Sequence, residues 1–455
     1  MKIASIAKKL SSKSFYQTRN GKIFSNLSSS IVFKFVNMII SFLMVPITLD
    51  YLDKTRYGLW AALSSVLAWF FIFDVGIGSG LRNKYVELKA KGRIAEIKEY
   101  VSTAYFLFGA IAILIVIAFT IANMFLDWSR MLNAPASMKG ELSETVSVVF
   151  IVLCLNFVLK LINTILTADL KNGISNGMAV VAHIITFVGI IILSHVTAPS
   201  ILKYALLYTG ANFLVTLVAS LYFYLGIYRN IAPSISTINL SLWRDLVSVG
   251  MKFFFIQIMG IVFFQTTSLL ISILIGPDSV ADYNITQKYF SLASMLFAMM
   301  VQPLWTGYGD AYYRGEYDWI KRTFKRLTKL WFVVFAALLV MIVIQKPVFA
   351  IWLKGRIEVD YVMSILFVIF YAMQMNTVIY NSFISSTSKL KLSMILGTVI
   401  VPFYIPIAVV LVKYLHLGPK GIIISLICVQ AIPAVILTPI QSYKILSGAP
   451  GIWQK

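Results

Sequence analysis

The fold of this chain is decided by a stretch at residues 57–84, which reads YGLWAALSSVLAWFFIFDVGIGSGLRNK. Residues 57–78 contain a single charged side chain, Asp74, and the basic residues Arg82 and Lys84 follow shortly afterwards. An apolar run of about 20 residues is long enough to cross a bilayer as a helix. Runs of this kind recur along the chain, so the sequence predicts a membrane protein with many spans.

The composition agrees with that prediction. Of the 455 residues, 13% are charged and 59% are hydrophobic, whereas a soluble domain carries roughly 25% charged residues. Only a lipid-facing surface leaves so much apolar area outside a core. The formal net charge of +21 would suit nucleic acid on a soluble domain, but a polytopic protein concentrates Lys and Arg in its cytoplasmic loops. A soluble globular protein is excluded, and no nucleic-acid partner is expected.

Twelve spans are predicted, which makes the fold class an all-α polytopic membrane protein. In the first half the spans lie at 25–49, 57–78, 100–126, 144–168, 174–196 and 201–228. In the second half they lie at 246–275, 281–308, 327–352, 359–384, 390–413 and 419–443.

The spans divide into two lobes of six helices. The predicted organisation is a basic interfacial N-terminal segment at 1–24, an N-lobe at 25–228, a cytoplasmic linker at 229–245, a C-lobe at 246–443 and a cytoplasmic tail at 444–455. Lys and Arg concentrate in the alternate connections that share a side with the N-terminus, so both termini are predicted to be cytoplasmic. The N-terminal segment places apolar residues beside lysines, a pattern typical of a helix on anionic membrane lipids.

The two halves are predicted to be an internal duplication. The connections at 81–99 and 310–329 are the longest cytoplasmic ones, and each carries six basic residues. A shift of 223 residues without a gap pairs Gly58 with Ala281, Trp60 with Tyr283, Tyr85 with Tyr308, Gly92 with Gly315 and Lys98 with Lys321. Repeated halves are a common transporter plan, with a substrate site between them and alternating access by rocking. Chance matching of apolar sequence is the alternative explanation.

Four cations fall within predicted spans: Lys34, Lys160, Lys252 and Lys288. A Lys at a helix centre costs about 2.5–3.5 kcal/mol to insert, so such residues usually face a wet cavity. We therefore expect a cationic, substrate-binding cavity. Lys252 and Lys288 lie about two turns from span ends, and the alternative for both is that they reach the headgroups along their own stems.

Four further residues are candidates for gating or ion coupling: Asp74, Arg82, His183 and Asp310. Intramembrane carboxylates mark ion pathways, and a histidine takes up a proton near neutral pH. The alternatives are structural: Asp74 would pair with Arg82 or Lys84, Asp310 with Arg314, and a neutral His183 would bond a neighbouring helix.

No enzyme signature is present: the sequence lacks a Walker A motif, a His/Cys metal spacing and a nucleophile elbow. Cys154 and Cys428 lie inside apolar runs, so neither a disulfide nor a metal site is expected. Asp50 and Asp53 superficially suggest a lipid-sugar transferase, but Lys54 and Arg56 beside them indicate an ordinary helix boundary. We predict a protein that is not an enzyme and has no catalytic residues, cofactor or metal.

The sequence resembles polysaccharide flippases of the Wzx type, in the superfamily that also holds multidrug antiporters and peptidoglycan-precursor flippases. Its motifs are Tyr57-Gly58-Leu59-Trp60, Phe73-Asp74-Val75-Gly76-Ile77-Gly78-Ser79-Gly80-Leu81-Arg82-Asn83-Lys84 and Lys91-Gly92-Arg93. The second half departs from this pattern, with Gln302-Pro303-Leu304-Trp305 at the equivalent place. Twelve spans favour the O-antigen or exopolysaccharide branch over the fourteen-span branch.

The resemblance implies transport of undecaprenyl-diphosphate-linked oligosaccharide from the inner to the outer face of the bacterial cytoplasmic membrane. It also implies coupling to H⁺, Na⁺ or the membrane potential, and partnership with a polysaccharide polymerase and a chain-length regulator. Two alternatives stay open. A cation-coupled drug or small-molecule antiporter of the same superfamily would depend on a buried carboxylate such as Asp74, and a non-transporting scaffold would depend on none of these residues.

Overall fold

The computed structural model of the chain describes residues 19–69, 76–302, 304–358, 360–387 and 389–454. Within these ranges, side chains are described except at 19–28, 68, 90, 248–257, 259–264 and 306. Asp74, most of the predicted segment 1–24 and the side chain of Lys252 therefore lie outside the described part of the chain.

The described residues form helices from end to end. The first group is α1 Arg19–Ala68, α2 Ile77–Ala90, α3 Ile94–Asn123, α4 Trp128–Met131, α5 Lys139–Leu159, α6 Leu161–Ala168, α7 Asn172–Val196 and α8 Ile201–Leu225. The second group is α9 Trp243–Leu274, α10 Pro277–Val301, α11 Leu304–Tyr313, α12 Tyr317–Leu353, α13 Tyr361–Ser386, α14 Lys391–Ile400, α15 Tyr404–Val409, α16 Pro419–Ala431 and α17 Thr438–Leu446. Wider π-helical turns at Val410–Tyr414 and Ile432–Leu437 follow α15 and α16.

The described residues of each predicted span fall on one helix or on a run of consecutive helices, so the all-α polytopic fold is confirmed. Nine helices among the described residues are long and apolar enough to cross a membrane. Three predicted spans are not counted separately: α1 contains the first two, much of α9 lacks described side chains, and α10 carries polar residues such as Asn284, Gln287 and Lys288.

The faces of the long helices that point away from the protein are apolar. On α3, the side chains of Ile113, Leu114, Ile117 and Ile121 are all more than half exposed. Soluble monomers rarely expose continuous apolar patches of this kind. Such a surface is stable when the surrounding solvent is lipid.

The chain forms two compact units that differ from a simple division into halves. Among the described residues, unit 1 consists of 19–53, 76–129 and 135–257, and unit 2 consists of those in 54–69, 130–134 and 258–454. The chain passes from unit 1 to unit 2 at Asp53, where a positive φ of 66° kinks α1. The helical segment 54–69 is thereby grouped with unit 2, whereas the sequence analysis counted it within an N-lobe at 25–228.

Within unit 1, α8 packs against α5 and α7, while α3 packs against α2 and α5. Within unit 2, α13 is the central helix and packs against α10, α12 and α16. The rings of Tyr308, Phe324 and Phe383 join α11, α12 and α13, with centroids 5.6–5.8 Å apart. Aromatic clusters of this kind contribute packing energy beyond the area that they bury.

The predicted duplication is visible in the backbone. Gly92 follows α2 with a φ of 71°, and Gly315 follows α11 with a φ of 76°. The backbone hydrogen bonds around the two glycines have the same pattern at an offset of 223 residues. In the first turn, the N–H groups of Gly92, Arg93 and Ile94 donate to the carbonyls of Lys89, Leu88 and Gly92. In the second turn, the N–H groups of Gly315, Glu316 and Tyr317 donate to the carbonyls of Tyr312, Ala311 and Gly315. The next helices then start at equivalent residues, 94 and 317. Left-handed backbone suits glycine because it has no Cβ.

Candidate functional site

The predicted site residues are distributed over both units, and each unit has its own cluster of polar side chains within the helices. In unit 1 the cluster includes Lys34 and His183, and Lys160 lies apart from it. In unit 2 it surrounds Lys288. Asp74 lies outside the described residues, and Lys252 is described only as a position on α9.

A polar strip in unit 1, defined here as Ser30, Asn37, Asn176 and His183, joins α1 to α7. The side-chain amide of Asn176 donates to the Ser30 hydroxyl at 2.6 Å, and His183 Nδ1 bonds Asn37 Oδ1. Ser30, Lys34 and Asn37 are spaced at i, i+4 and i+7, so they share one face of α1. Lys34 is half-buried and therefore lies on the face of α1 that meets α7.

His183 has the structural partner that the sequence analysis offered as its alternative role. A carbonyl oxygen only accepts a hydrogen bond, so the contact with Asn37 requires the proton to be on Nδ1. The ring of Tyr208 lies 6.0 Å away, between ring centroids. This bond fixes the orientation of the imidazole.

Lys160 is held by aromatic rings at the junction between α5 and α6. Its ammonium lies 4.6 Å from the ring centroid of Phe157 and 5.5 Å from that of Phe108. The two rings stack on each other with centroids 4.5 Å apart. Cations are attracted to the negative faces of such rings. Lys160 and Lys34 are thus placed on different pairs of helices.

A second cluster of unit 1 is centred on Asp169, in the turn between α6 and α7. Its carboxylate accepts bonds from Lys89, from Lys171 at 2.8 Å and from the hydroxyl of Tyr228 at 2.9 Å. Burial acts to raise the pKa of Asp169, but the hydrogen bonds from Lys171, Lys89 and Tyr228 outweigh burial and lower it. Burial, followed by the charge of Asp169, raises the pKa of Tyr228. The sequence analysis did not identify this cluster, whose only sequence signal is an acidic residue two positions before a lysine.

The candidate binding site of unit 2 is a cavity of about 250 Å³ around Lys288, which we call the Lys288 cavity. Its lining residues are Tyr57, Asn284, Gln287, Lys288, Ser291 and Tyr371, from α1, α10 and α13. Among the described side chains, none forms an ion pair or hydrogen bond with the ammonium of Lys288. Charges within a membrane protein that lack a partner usually face water or a ligand.

Two of the lining residues are oriented by neighbouring helices. The Asn284 amide donates to the Ser268 hydroxyl at 3.0 Å and to the carbonyl of Val280 at 2.9 Å. The hydroxyl of Tyr371 donates to the carbonyl of Gln287 at 3.2 Å. The amide of Gln287 and the ammonium of Lys288 lie beside these groups on the lining of the cavity. The site therefore combines one cation with groups that donate and accept hydrogen bonds.

The sequence analysis selected Lys288 but missed the rest of this cavity. Asn284, Lys288 and Ser291 have the i, i+4, i+7 spacing of one helix face, and this pattern could have indicated the polar face of α10. Tyr57 and Tyr371 come from distant parts of the chain, and no local pattern links them to Lys288. In volume, the cavity would hold several waters, at about 30 Å³ each, or one small polar group.

Asp310 and Arg82 are surface residues in the structure. Asp310 is exposed and pairs with Arg314, four residues later in the turn that follows α11, at 3.0 Å. This geometry favours the local ion pair over a gate. Arg82 is exposed on α2, and nearby Lys84 bonds Glu87 at 3.3 Å, so the predicted pairing with Asp74 stays a prediction. Clusters of three or more potential metal ligands are absent from the described residues.

The comparisons with known proteins agree with the resemblance of the sequence motifs. The family described as "Polysaccharide biosynthesis protein" matches residues 23–305, which is more than half of the chain. A protein of Salmonella typhi named as an O-antigen transporter is 23% identical over 285 residues, covering 61% of this chain and 63% of that protein. The match thus spans less than two thirds of the Salmonella protein.

A second curated relative aligns over more of the sequence. It is named as an O-antigen export protein of Yersinia pseudotuberculosis and is 22% identical over 377 residues, covering 79% of this chain and 82% of that protein.

Solved structures share the fold. An inward-facing multidrug resistance MATE family transporter of the MOP superfamily matches with a TM-score of 0.76 and 13% identity, covering 93% of this chain and 100% of that one. An outward-facing structure described in the same words matches with a TM-score of 0.65 and 14% identity, covering 97% and 98%. At these identities the likeness establishes the fold and nothing further.

Proposed function

Since the chain belongs to the polysaccharide biosynthesis protein family, we propose that it is a Wzx-type flippase that moves undecaprenyl-diphosphate-linked oligosaccharide across the bacterial cytoplasmic membrane. The direction of transport is from the inner to the outer leaflet, and both termini are cytoplasmic. The names of its relatives, O-antigen transporter and O-antigen export protein, support the O-antigen branch. They are also the names of transporters and not of enzymes.

The observation that carries this proposal is the Lys288 cavity. A lipid diphosphate that bears sugars presents negative charge and many hydroxyl groups. The ammonium of Lys288 would attract the charge, and the amides of Asn284 and Gln287 would bond the hydroxyls. A lysine within a membrane-embedded helix that has no partner among the described side chains is costly, so a role in binding an anionic substrate would explain its position.

The remaining predicted residues take secondary roles in the proposal. Lys34, Lys160 and Lys252 would add positive charge along the path of the substrate. Asp74, Arg82, His183 and Asp310 remain the candidates for gating or for coupling to H⁺ or Na⁺. The polymerase and the chain-length regulator remain proposed partners.

The proposed mechanism is alternating access. Structures with this fold exist in states described as inward-facing and outward-facing, which supports two access states for the present chain. If two negative charges move outward under an inside-negative potential of about 100 mV, which favours that direction, the field supplies roughly 4–5 kcal/mol. Protein charges that move with the substrate would reduce this value.

The sidedness of the lipid-linked oligosaccharide tests the proposal. A membrane-impermeant probe that modifies sugars would be applied to cells that lack the gene and express either wild type, Lys288→Gln or Lys346→Gln. Lys346 is the matched control because it is an exposed lysine on α12 of the same unit. We expect wild type and Lys346→Gln to restore outward-facing oligosaccharide, and Lys288→Gln to reduce it at least tenfold.

Two results would contradict the proposal. Unchanged sidedness on deletion, in a strain without a second flippase, would remove the transport function. Full activity of Lys288→Gln together with loss of activity on Asp74→Asn would instead favour a cation-coupled antiporter. This is the alternative function, and a multidrug transporter shares the fold.

A further inference from the structure

Unit 1 contains a large apolar groove that the proposed substrate head group does not use. The groove has a volume of about 820 Å³ and lies between α1, α7 and α8. Its walls include Phe33 on α1, Gly177 on α7, and Leu214 and Val218 on α8. Almost all of the surface that lines it is apolar, so a ligand for this groove must be a hydrocarbon.

The groove has the length of one membrane leaflet. It extends along α7 from Gly173 to Ile185, which is about 18 Å at 1.5 Å per residue. The hydrocarbon core of a bilayer is about 30 Å thick, so one leaflet contributes roughly half of that. Gly173 lies at the start of α7 and Phe223 near the end of α8. On the proposed orientation these ends are cytoplasmic, and the groove belongs to the inner leaflet.

One side of the groove is open to the surroundings. Its rim residues Val218 and Tyr222 are 57% and 69% exposed, and Val181 on α7 is also exposed. A hydrocarbon chain could therefore enter sideways from lipid without crossing a polar surface. The small residue Gly177 widens the floor, since a Cβ atom there would lie 3.4 Å from the ring of Phe33.

The cytoplasmic end of the groove leads to charged and hydrogen-bonding groups. Phe223 on the groove wall packs against Tyr228 with ring centroids 5.7 Å apart. The hydroxyl of Tyr228 bonds both Asp169 and Lys171. Lys171 is two residues before Gly173, where the apolar lining begins. A ligand of the groove thus has a hydrocarbon part and a polar end near the membrane surface.

The polar strip lies beside the groove along the same helices. The groove lining on α7 includes Gly177 and Val181, whereas Asn176 and His183 of the strip bond α1. Ser29 lines the groove, and the next residue, Ser30, belongs to the strip. The two surfaces are therefore parallel, one apolar and one polar.

From this arrangement we propose that the groove between α1, α7 and α8 holds the polyisoprenyl chain of the lipid-linked substrate in the inner leaflet. The inference rests on the proposed function, since it assigns a place to the tail of that substrate. The groove keeps the tail in contact with the protein while the polar head is transferred to hydrogen-bonding groups. Occupation by ordinary phospholipid acyl chains is the competing outcome.

Photo-crosslinking of the full-length protein tests the inference. The protein would be placed in vesicles of phosphatidylethanolamine and phosphatidylglycerol with undecaprenyl phosphate that carries a diazirine in its tail and no sugar. Crosslinked peptides would be mapped by mass spectrometry. We expect labels on the groove residues of α7 and α8, and at least fivefold less labelling in Val218→Trp, which places a large ring at the rim.

Matched variants separate occupation of the groove from general effects on folding. Ile113→Trp introduces the same ring at a residue of α3 that is 62% exposed, and we expect it to leave the labelling unchanged. Gly177→Leu fills the groove from its floor and should reduce labelling as Val218→Trp does. Monodisperse elution and an unchanged unfolding temperature would establish that the variants are folded.

The inference is overturned if phosphatidylethanolamine with a diazirine in its acyl chain labels the groove equally at the same mole fraction. It is also overturned if both groove-filling variants are folded and label like wild type. These failures differ from failure of the proposed function. If the groove binds the polyisoprenyl probe but the protein does not flip the substrate, only the proposed flippase function is contradicted. If the protein flips the substrate but its groove does not bind the probe, only the proposed role of the groove is contradicted.

Discussion

Gly58 packs directly against the carbonyl group of Pro277, so closely that a Cβ atom at residue 58 would overlap the carbonyl oxygen. Two polar contacts flank this approach, from Thr55 to Asp278 at 2.6 Å and from Lys54 to Asp282 at 2.8 Å. The glycine of the Tyr57-Gly58-Leu59-Trp60 motif thus has a packing role, because only a residue without a side chain lets α1 meet the start of α10. Gly80 of the second motif approaches the carbonyl of Leu246 in the same way within unit 1.

Gly58→Ala should destabilise the protein. Overpacking typically costs about 1–3 kcal/mol, and here the added methyl group meets a backbone carbonyl that cannot move aside as a side chain would. We expect a lower thermal midpoint for detergent-solubilised protein. Gly109→Ala is the control, since a Cβ atom at residue 109 meets nothing within 4 Å. An equal midpoint for the two variants would contradict the contact.

Asp169→Asn should weaken unit 1 and change its response to acid. Loss of charge-assisted hydrogen bonds from Lys171, Lys89 and Tyr228 should cost about 1–3 kcal/mol at neutral pH. Because the folded protein lowers the pKa of Asp169 below 3.8, the stabilisation is complete above that pH and is lost as the pH falls through the folded value. Thermal midpoints should therefore fall more steeply with falling pH for wild type than for Asp169→Asn only below about pH 4, and the two curves should be parallel from pH 7 to pH 4. Curves that stay parallel below pH 4 would show that the carboxylate contributes nothing.

Lys160→Met should separate a structural role of Lys160 from a role in binding. The methionine keeps an unbranched apolar stem against Phe157 but removes the cation–π attraction, which is worth about 0.5–2 kcal/mol. If the lysine only anchors α5 to α3, Lys160→Arg will restore stability and both variants will flip substrate. If it also contacts the diphosphate, Lys160→Met will lose flipping even after correction for the amount of folded protein.

His183→Gln should preserve the link between α1 and α7, because a glutamine amide can still donate to Asn37. His183→Ala removes the donor and should cost about 1–3 kcal/mol. The pH profile of transport distinguishes the two roles, because replacing a purely structural histidine would not change it. A profile that is identical in wild type and His183→Gln between pH 5.5 and 8 would exclude His183 as a proton carrier, and a lost pH dependence would support coupling to H⁺.

Ion pairs between residues that are close in sequence could be predicted from the sequence. The sequence predicts Arg314 as a partner for Asp310, and the structure joins the two between the end of α11 and the turn after it. The structure also contains a hydrogen bond from His183 to a neighbouring helix, which is the structural role offered as an alternative, but the partner Asn37 lies 146 residues away in the sequence. Likewise Lys288 was selected as a rare charge within a span, whereas Tyr57 and Tyr371 could not be assigned to its cavity. Periodicity reports the face of a helix and contains no information on which other helix covers it.

Local sequence is enough to predict the membrane class and the turns after α2 and α11, because hydrophobic length and turn glycines act over a few neighbouring residues. Gly92 and Gly315 adopt their matching conformations for that reason. The tertiary structure decided that the chain changes unit at Asp53, that Asp169 gathers two lysines and a tyrosine, and that α1, α7 and α8 enclose an apolar groove. These features depend on close packing between segments far apart in the chain, where the shape and charge of both partners set the contact.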